Sequence, residues 1–312
     1  MKNLGLSNYA SLVSMQLNKE MEIHVNPVEE TKNIHYVLPV YQSRYKRPLG
    51  LQLIYNHQNL SVDLGLGKGI RTNYHVSLTY NDSEASLTLS DGSVLKYLYD
   101  NETSNEKTKV YNNHETNTTI TVYEGTLATQ FFLYYKDDSV IEFVHTGSEL
   151  MQKSIKLKSG EEYYFEYDST GRMIEVKNNA VKVEKLTFDY TTNDYVLIQA
   201  WKTNKTGTFS EIKAIKVYKH TAAIYLDYLW KVNVLENSTA TVLIKDYQFN
   251  YSIVETSLTA TIVEENTNLF CRFKVSINGL PEEIMDELGR TTTFTKINKY
   301  CSMLTDYRNK VT

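Results

Sequence analysis

The sequence predicts an all-β protein whose antiparallel sheets are built from successive hairpins, and three observations support this prediction. Short segments in which apolar and polar residues alternate recur along the 312 residues, and turns rich in Asn, Thr, Lys and Gly separate them. Tyrosine is unusually abundant, with 25 residues against 10 Phe and 2 Trp. Thr and Val are also common and only 4 Pro are present, a composition that suits pleated, half-buried surfaces.

The alternating segments predict strands in both halves of the chain. The pair Asp91-Gly92 is a strong hairpin signal between two of them. Residues 100–117 are polar and are predicted to form a long solvated loop, and residues 9–25 fit either a strand pair or a short helix. Strands are predicted at 49–55, 60–64, 75–80, 86–89, 94–99, 119–123, 130–135, 140–144, 181–190, 195–201, 212–218, 223–230, 241–251, 257–264 and 269–277.

Residues 160–176 form the most informative segment, because they predict a hairpin in detail. Tyr163, Phe165 and Tyr167 alternate along one face of the first strand, which is the period of two expected of a strand. Residues 172–176 supply the returning strand. The aromatic face needs a partner, so neighbouring hairpins are expected to pair side by side and cover it.

The turn of this hairpin has the pattern Asp-x-x-Gly-Arg. The carboxylate of Asp168 can accept the backbone N–H two residues later, and Gly171 can adopt the positive φ that closes the turn. The same pattern recurs at Asp286, Gly289 and Arg290. Residues 281–288 also fit a short helix with Pro at its first turn, but the repeated turn pattern favours a strand followed by a turn.

The order Tyr167-Asp168, two residues, Gly171-Arg172 resembles the repeat of the YD-repeat (RHS) family, which includes the teneurins. The resemblance extends from residue 138 to about residue 308, and Asp286-x-x-Gly289-Arg290 matches it again. Upstream, the glycine cluster at 65–69 is similar to the lead-in of bacterial members, although Ile70 stands where that lead-in usually has a Trp. We therefore expect a β-rich lead-in at 1–135 and a YD-repeat-like region at 136–312, with a soft boundary.

This resemblance implies a sheet that spirals into a hollow shell, which encloses a C-terminal toxin or forms part of an extracellular adhesion module. The expected function is a non-catalytic, structural part of a shell, an adhesion protein or a toxin-delivery scaffold, secreted or displayed at the cell surface. The expected partners are further repeats of the same polypeptide, a C-terminal cargo domain, or a cell-surface protein or glycan. Few repeats are present, so we expect a fragment of a longer protein.

The overall composition excludes some functions and leaves others without support. The net charge of −4 gives no basis for nucleic-acid binding through counterion release. No run of about 18 apolar residues predicts a transmembrane segment, and the first residues lack the pattern of a signal peptide. The two cysteines, Cys271 and Cys301, are expected to be unpaired thiols, although a disulfide remains open.

The sequence predicts no catalytic, cofactor-binding or metal-binding residues, and hence no enzyme. The seven histidines are scattered and neither cysteine belongs to a C-x-x-C pair. The glycine cluster at 65–69 lacks the spacing of a phosphate-binding loop and is expected to be a tight turn. Adjacent carboxylates such as Glu161 and Glu162 should point to opposite faces of a strand, so they cannot flank one glycosidic bond.

Two alternatives to a purely structural role remain from the sequence. The first is a carbohydrate- or protein-binding β module that presents tyrosines on an exposed sheet face. The second is a β-rich glycoside hydrolase, which requires two carboxylates that converge in a cleft. For Arg172 and Arg290, pairing with a nearby Asp or stacking on a tyrosine is favoured over contact with a ligand.

Overall fold

The computed structural model is all-β: every regular element within the described residues is a β-strand, and the predicted antiparallel, hairpin-built fold is confirmed. No helix in the described part of the chain is long and apolar enough to cross a membrane. The structure describes residues 13–16, 22–25, 34–42, 49–56, 62–126, 128–146, 149–180, 183–219, 221, 229–254, 257–264, 269–276, 281–298, 301–306 and 308.

The first sheet contains five antiparallel strands in chain order. Residues 9–25, where the sequence allowed two interpretations, contain a strand pair, since the first strand pairs with the second from Val13–Val25 to Gln16–Glu22. The fourth strand has one apolar face, on which Leu51, Leu53 and Tyr55 are buried, while Gln52 on its other face is exposed. The strands are β1 (Val13–Gln16), β2 (Glu22–Val25), β3 (Ile34–Gln42), β4 (Gly50–Asn56) and β5 (Ile70–Thr72).

The other strands belong to a second sheet in which most consecutive strands are neighbours. They are β6 (Ser77–Tyr80), β7 (Glu84–Thr88), β8 (Val94–Tyr99), β9 (Thr108–Asn113), β10 (Thr118–Glu124), β11 (Thr129–Tyr134), β12 (Val140–Thr146), β13 (Glu149–Lys156), β14 (Glu162–Tyr167), β15 (Met173–Asn178), β16 (Glu184–Asp189), β17 (Tyr195–Thr203), β18 (Phe209–Lys219), β19 (Leu229–Leu235), β20 (Leu243–Val254), β21 (Ser257–Glu264), β22 (Leu269–Ser276), β23 (Pro281–Met285), β24 (Thr291–Asn298) and β25 (Cys301–Thr305).

The chain forms two compact units. Unit 1 contains residues 74–188 and 199–212, and unit 2 contains the other described residues. The expected division into a lead-in at 1–135 and a repeat region at 136–312 was based on sequence patterns and stays a prediction.

Eight strands of unit 1, β6 to β13, form a closed cycle. Each strand pairs with the next, and β13 also pairs with β6 through Leu150–Leu78 and Met151–Ser77. The same edge of β13 continues past β6 and pairs with β14 through residues 154–156. Strand β13 is therefore the branch point at which the closed cycle opens into the following hairpins.

The interior of this closed cycle is filled by its own side chains. Eight antiparallel strands enclose a space that side chains can just fill. The enclosed residues alternate with outward-facing ones, and their exposed fractions are 3% or less. They include Leu78, Leu87, Tyr97, Tyr111, Ile120, Val122, Phe131, Leu133, Ile141 and Phe143.

In unit 2, strands β18, β19 and β20 form a continuous antiparallel layer with one apolar face. Val217, Val232 and Tyr247 follow one another across the three strands and are almost completely buried. The sheet continues through β21, β22 and β23 to the β23–β24 hairpin. The expected strand and turn at 281–290, rather than a helix, is therefore confirmed.

The structure corrects the sequence-based strand assignment in several places, and β5 is among the strands that were not predicted. Residues 100–117 are not one solvated loop, because β9 lies within them. The polar residues Lys109 and Asn113 share the face of Tyr111, which hid the strand, while Tyr111 itself is buried and pairs with Ile120. Strand β13, which was not predicted, lies between two predicted strands. Of the strand predicted at 60–64, the described residues 62–64 form no strand, since Asp63 makes only an isolated bridge to Lys68.

Candidate functional site

A five-residue turn recurs between consecutive strands of the described residues. The first residue donates its N–H to the carbonyl oxygen of the fifth, and the fourth donates its N–H to the carbonyl oxygen of the first. The fourth residue has a positive φ in every copy. This geometry is a type I turn followed by a bulge residue, which closes short hairpins. The copies span residues 89–93, 135–139, 157–161, 168–172, 204–208 and 286–290.

The turn at 168–172 is held by the carboxylate of Asp168. Its Oδ1 accepts the N–H of Thr170 at 2.9 Å and the N–H of Arg172 at 3.0 Å, as the sequence pattern predicted for the first of these bonds. The hydroxyl of Thr170 donates to the same oxygen at 2.7 Å. The Arg172 guanidinium pairs with Oδ2 through Nε at 2.8 Å and NH2 at 2.7 Å. The Asp168 side chain thus bonds to the backbone and to two side chains of this five-residue turn, and a turn of this kind is called a corner below.

These contacts set the charge state of Asp168. Partial desolvation alone would raise the pKa of this carboxyl, but the hydrogen bonds from Thr170 and Arg172 outweigh it and lower the pKa to about 2. The carboxylate is therefore ionised over the whole physiological range. Gly171 occupies the bulge position with a φ of +86°, a conformation that glycine adopts at low cost.

The turn at 286–290 repeats the same contacts. Asp286 Oδ1 accepts the N–H groups of Leu288 at 3.0 Å and Arg290 at 2.9 Å, and Arg290 Nε donates to Oδ2 at 2.6 Å. Gly289 has a φ of +73°. Desolvation opposes ionisation here too, but the bonds from Arg290 and Leu288 lower the pKa of Asp286. Each arginine therefore pairs with the aspartate of its own turn, as the favoured interpretation expected.

An uncharged copy of the corner, which was not predicted from the sequence, lies at 204–208. Asn204 Oδ1 accepts the N–H groups of Thr206 at 2.9 Å and Thr208 at 3.0 Å, so the amide oxygen replaces the carboxylate. Thr208 stands where the charged copies have arginine. The sequence signal was Asn-x-x-Gly, which differs from Asp-x-x-Gly by a single atom at its capping position.

The hairpin at 160–176 is confirmed, and its tyrosines connect it to β13. Tyr163 and Phe165 are buried on one face while Tyr164 is exposed on the other. The hydroxyl of Tyr167 donates to the carbonyl oxygen of Gln152 on β13 at 2.8 Å, and burial raises the pKa of Tyr167. The tyrosine of the Tyr-Asp pair therefore anchors the hairpin to the preceding strand, next to the corner that the aspartate closes.

The glycine cluster at 65–69 is a structural turn, as expected. Asp63 Oδ1 accepts the N–H of Gly65 at 2.7 Å and the N–H of Gly67 at 3.0 Å. These N–H groups would have to bind a phosphate in a phosphate-binding loop, but here a carboxylate already occupies them. An anionic ligand would also be repelled by that carboxylate.

The residue types of metal sites are not gathered in the part of the chain that the structure describes. No group of three His, Cys, Asp or Glu side chains lies close enough to hold a metal ion there. Glu161 and Glu162 differ in surroundings, as expected of adjacent strand residues: Glu161 is buried and accepts from the Tyr163 hydroxyl at 2.6 Å, while Glu162 faces outward. Cys271 and Cys301 lie in β22 and β25, and their unpaired state stays a prediction.

Comparison with known proteins gives structural neighbours only. No family model matches the chain, and no curated protein matches it. The crystal structure of TcdB2-TccC3-TEV aligns with a TM-score of 0.55 at 11% identity, over 100% of this chain and 20% of that one. The Photorhabdus luminescens Tc holotoxin pore with a TccC3 mutation aligns at 0.53 and 9% identity, over 99% and 22%. TcdB2-TccC3-Cdc42 aligns at 0.51 and 9% identity, over 78% and 18%.

The chain therefore has the fold of a portion of these Tc toxin chains and spans about a fifth of their length. The identities of 9–11% establish the fold and nothing beyond it.

Proposed function

We propose that this chain is a non-catalytic, structural portion of an RHS/YD-repeat protein, in a shell or in a surface adhesion or toxin-delivery scaffold. The observation that carries the proposal is the corner at 168–172, which recurs at 286–290 with the same capping bonds, the same positive-φ glycine and the same arginine pairing. An enzyme needs one copy of its catalytic site, whereas a corner that recurs with each hairpin is expected of a structural element. The fold likeness to Tc toxin chains supports this proposal.

In this proposal, the corners set how each hairpin meets its neighbours. The corner at 168–172 fixes the register of β14 and β15, and β15 then pairs with β16 through three consecutive residue pairs. Growth continues by the same edge-to-edge pairing, so the natural partners are further repeats of the same polypeptide and a C-terminal cargo domain. A secreted or surface location follows from the proposed role.

Unit 1 would serve as a wall element rather than as the container. Its closed cycle is filled by residues such as Tyr111 and Phe131, with exposed fractions of 0% and 1%, and leaves no space for a protein cargo. The hollow shell that the family resemblance implies would therefore have to be built by repeats beyond this cycle.

The test is electron cryomicroscopy of the complete gene product that contains this chain. We expect the downstream sequence to continue with tyrosine-aspartate hairpins and the particles to be hollow, with unit 1 at the start of the wall. The matched control is residues 1–312 alone, which should give small solid particles. An in-frame stop immediately after Thr312, or a downstream region without such hairpins, would contradict the proposal. Catalytic turnover of a substrate would also contradict the proposal, if a single side-chain substitution abolished that turnover without unfolding the protein.

A further inference from the structure

One row of side chains crosses the outer face of unit 1 from β10 to β14. The strand register places Thr121 beside Phe132, Phe132 beside Glu142, Glu142 beside Ser154, and Ser154 beside Tyr164. Four of them alternate with residues enclosed in the cycle, and Tyr164 alternates with the buried Tyr163 and Phe165, so all five project to the opposite face, although Thr121 is only 7% exposed there. Neither the corners nor the closed cycle requires aromatic residues on this face.

Three aromatic rings gather at one end of this row. Phe132 contacts Tyr123 at a centroid distance of 5.8 Å and Tyr134 at 6.1 Å. Tyr123 and Tyr134 are 38% and 36% exposed, and burial together with the hydrogen bond to Tyr123 raises the pKa of Tyr134 to about 12. The Tyr134 hydroxyl therefore stays protonated near neutral pH, and a phenolic hydroxyl can both donate and accept hydrogen bonds.

The middle of the row is polar and its geometry is fixed. Glu142 is held by Lys153 at 2.7 Å and by the hydroxyl of Ser154 at 3.3 Å, and its side chain is 24% exposed. A fixed carboxylate beside an ammonium and a hydroxyl offers both acceptors and donors. At the far end stands Tyr164, which is 37% exposed and donates its hydroxyl to Glu162.

We propose that this row binds an oligosaccharide that runs across the strands. The aromatic cluster on β11 and Tyr164 on β14 are three strand spacings apart, about 14 Å, with hydrogen-bonding groups between them. Aromatic faces at both ends can pack on the apolar faces of sugar rings, while Glu142, Lys153 and Ser154 bond the hydroxyls.

The size of the patch distinguishes this occupant from a protein. A stable protein interface buries about 800 Å² on each partner around an apolar centre. Here the exposed rings are few, and ion pairs interrupt them: Lys153–Glu142, and Lys156–Glu162 next to Tyr164. The patch is thus too small and too interrupted for a protein, and a narrow ligand rich in hydroxyl groups fits it. The proposal adds a binding role and does not depend on the proposed scaffold function.

The experiment uses the full chain on a glycan array, followed by calorimetric titration with cello-, malto- and chito-oligosaccharides and with any array hit. We expect at least one oligosaccharide to bind with a Kd of about 1 mM or tighter. The variants Tyr164→Ala and Glu142→Gln should each weaken that binding by about tenfold, since the first removes an aromatic face and the second removes the charge that strengthens hydrogen bonds to the sugar hydroxyls. The matched control is Phe209→Ala, which removes an equally exposed aromatic (38%) outside the row and should leave the Kd unchanged.

Absence of binding to every sugar would overturn the proposal. So would binding that Tyr164→Ala and Glu142→Gln leave intact, or that Phe209→Ala weakens equally. If Tyr164→Ala lowers the thermal stability, the conservative Glu142→Gln variant decides, because it keeps the side-chain shape.

Discussion

The substitution Asp168→Asn separates the two roles of the capping side chain. An asparagine at this position can still accept the N–H groups of Thr170 and Arg172, because Asn204 does the same in its own turn. What is lost is the charge that pairs with the Arg172 guanidinium at 2.7 Å. The variant therefore reports the contribution of charge to the corner, with the turn geometry retained.

The size of this contribution follows from the pKa. The pKa of Asp168 is lowered from an ordinary 3.8 to about 2, and each pKa unit corresponds to about 1.4 kcal/mol. The upper limit is therefore about 2.5 kcal/mol. Because the aspartate side chain is 21% exposed and the Arg172 side chain 41% exposed, solvent screening reduces the expected loss to about 1 kcal/mol.

The dependence on pH has a definite sign. Because the folded-state pKa is below the unfolded one, the stabilisation is complete above about pH 4 and disappears as the pH falls through about 2. Urea denaturation of the wild type and Asp168→Asn should therefore show a constant gap in the free energy of unfolding between pH 7 and pH 5. About half of that gap should be gone by pH 3.

The control for this experiment is Asn204→Asp, which places a carboxylate in the uncharged copy of the corner, where Thr208 replaces arginine. It should change the free energy of unfolding by less than about 0.5 kcal/mol at pH 7. No gap between Asp168→Asn and the wild type, or a gap that is the same at pH 7 and pH 3, would refute the electrostatic account of the corner.

Two further predictions concern the bulge position of the corners. Gly171→Ala should lower the free energy of unfolding by about 1–2 kcal/mol in urea denaturation, because the φ of +86° strains any residue with a Cβ. The added methyl group itself has space, since its nearest neighbour, the Thr146 carbonyl oxygen, would lie 3.6 Å away. An unchanged urea midpoint would contradict this prediction. Asp138→Gly should raise the thermal midpoint by a few degrees, because Asp138 occupies the bulge position of its own turn with a strained φ of +64°. The ion pair that the substitution removes, to Lys158 at 3.3 Å, is highly exposed and therefore contributes little. A lower midpoint would show that the Asp138 side chain stabilises the fold by more than its backbone strain costs.

The features that could be predicted from the sequence are those that depend on neighbouring residues, such as turns and alternating strands. The strand at 94–99 was predicted with the bounds that the structure has, because its neighbour Asp91-Gly92 marks the turn and its residues alternate. The corner at 168–172 was predicted together with its carboxylate-to-backbone bond. Strand β9 was missed because it has no run of alternating apolar residues: Lys109 and Asn113 share the face of the buried Tyr111, and Val110 lies on the opposite face.

The closure of unit 1 could not be predicted, because it depends on a long-range contact that has no local signal. Strand β13 changes partner along one edge, from β6 at Leu150 and Met151 to β14 at Ser154. At the junction, Gln152 is fully buried, its side-chain amide donates to the Tyr74 carbonyl oxygen and its N–H donates to the Val76 carbonyl oxygen at 3.4 Å.

A buried glutamine in the middle of a strand is costly unless its amide is bonded. The side-chain NH2 group of Gln152 makes such a bond to the Tyr74 carbonyl oxygen, whereas its side-chain oxygen is buried without a partner among the described residues. The Tyr167 hydroxyl donates to the Gln152 backbone carbonyl oxygen. The tyrosine of the Tyr-Asp pair thus reaches the point where the closed cycle ends, which connects the first recognisable repeat hairpin to the filled cycle that precedes it.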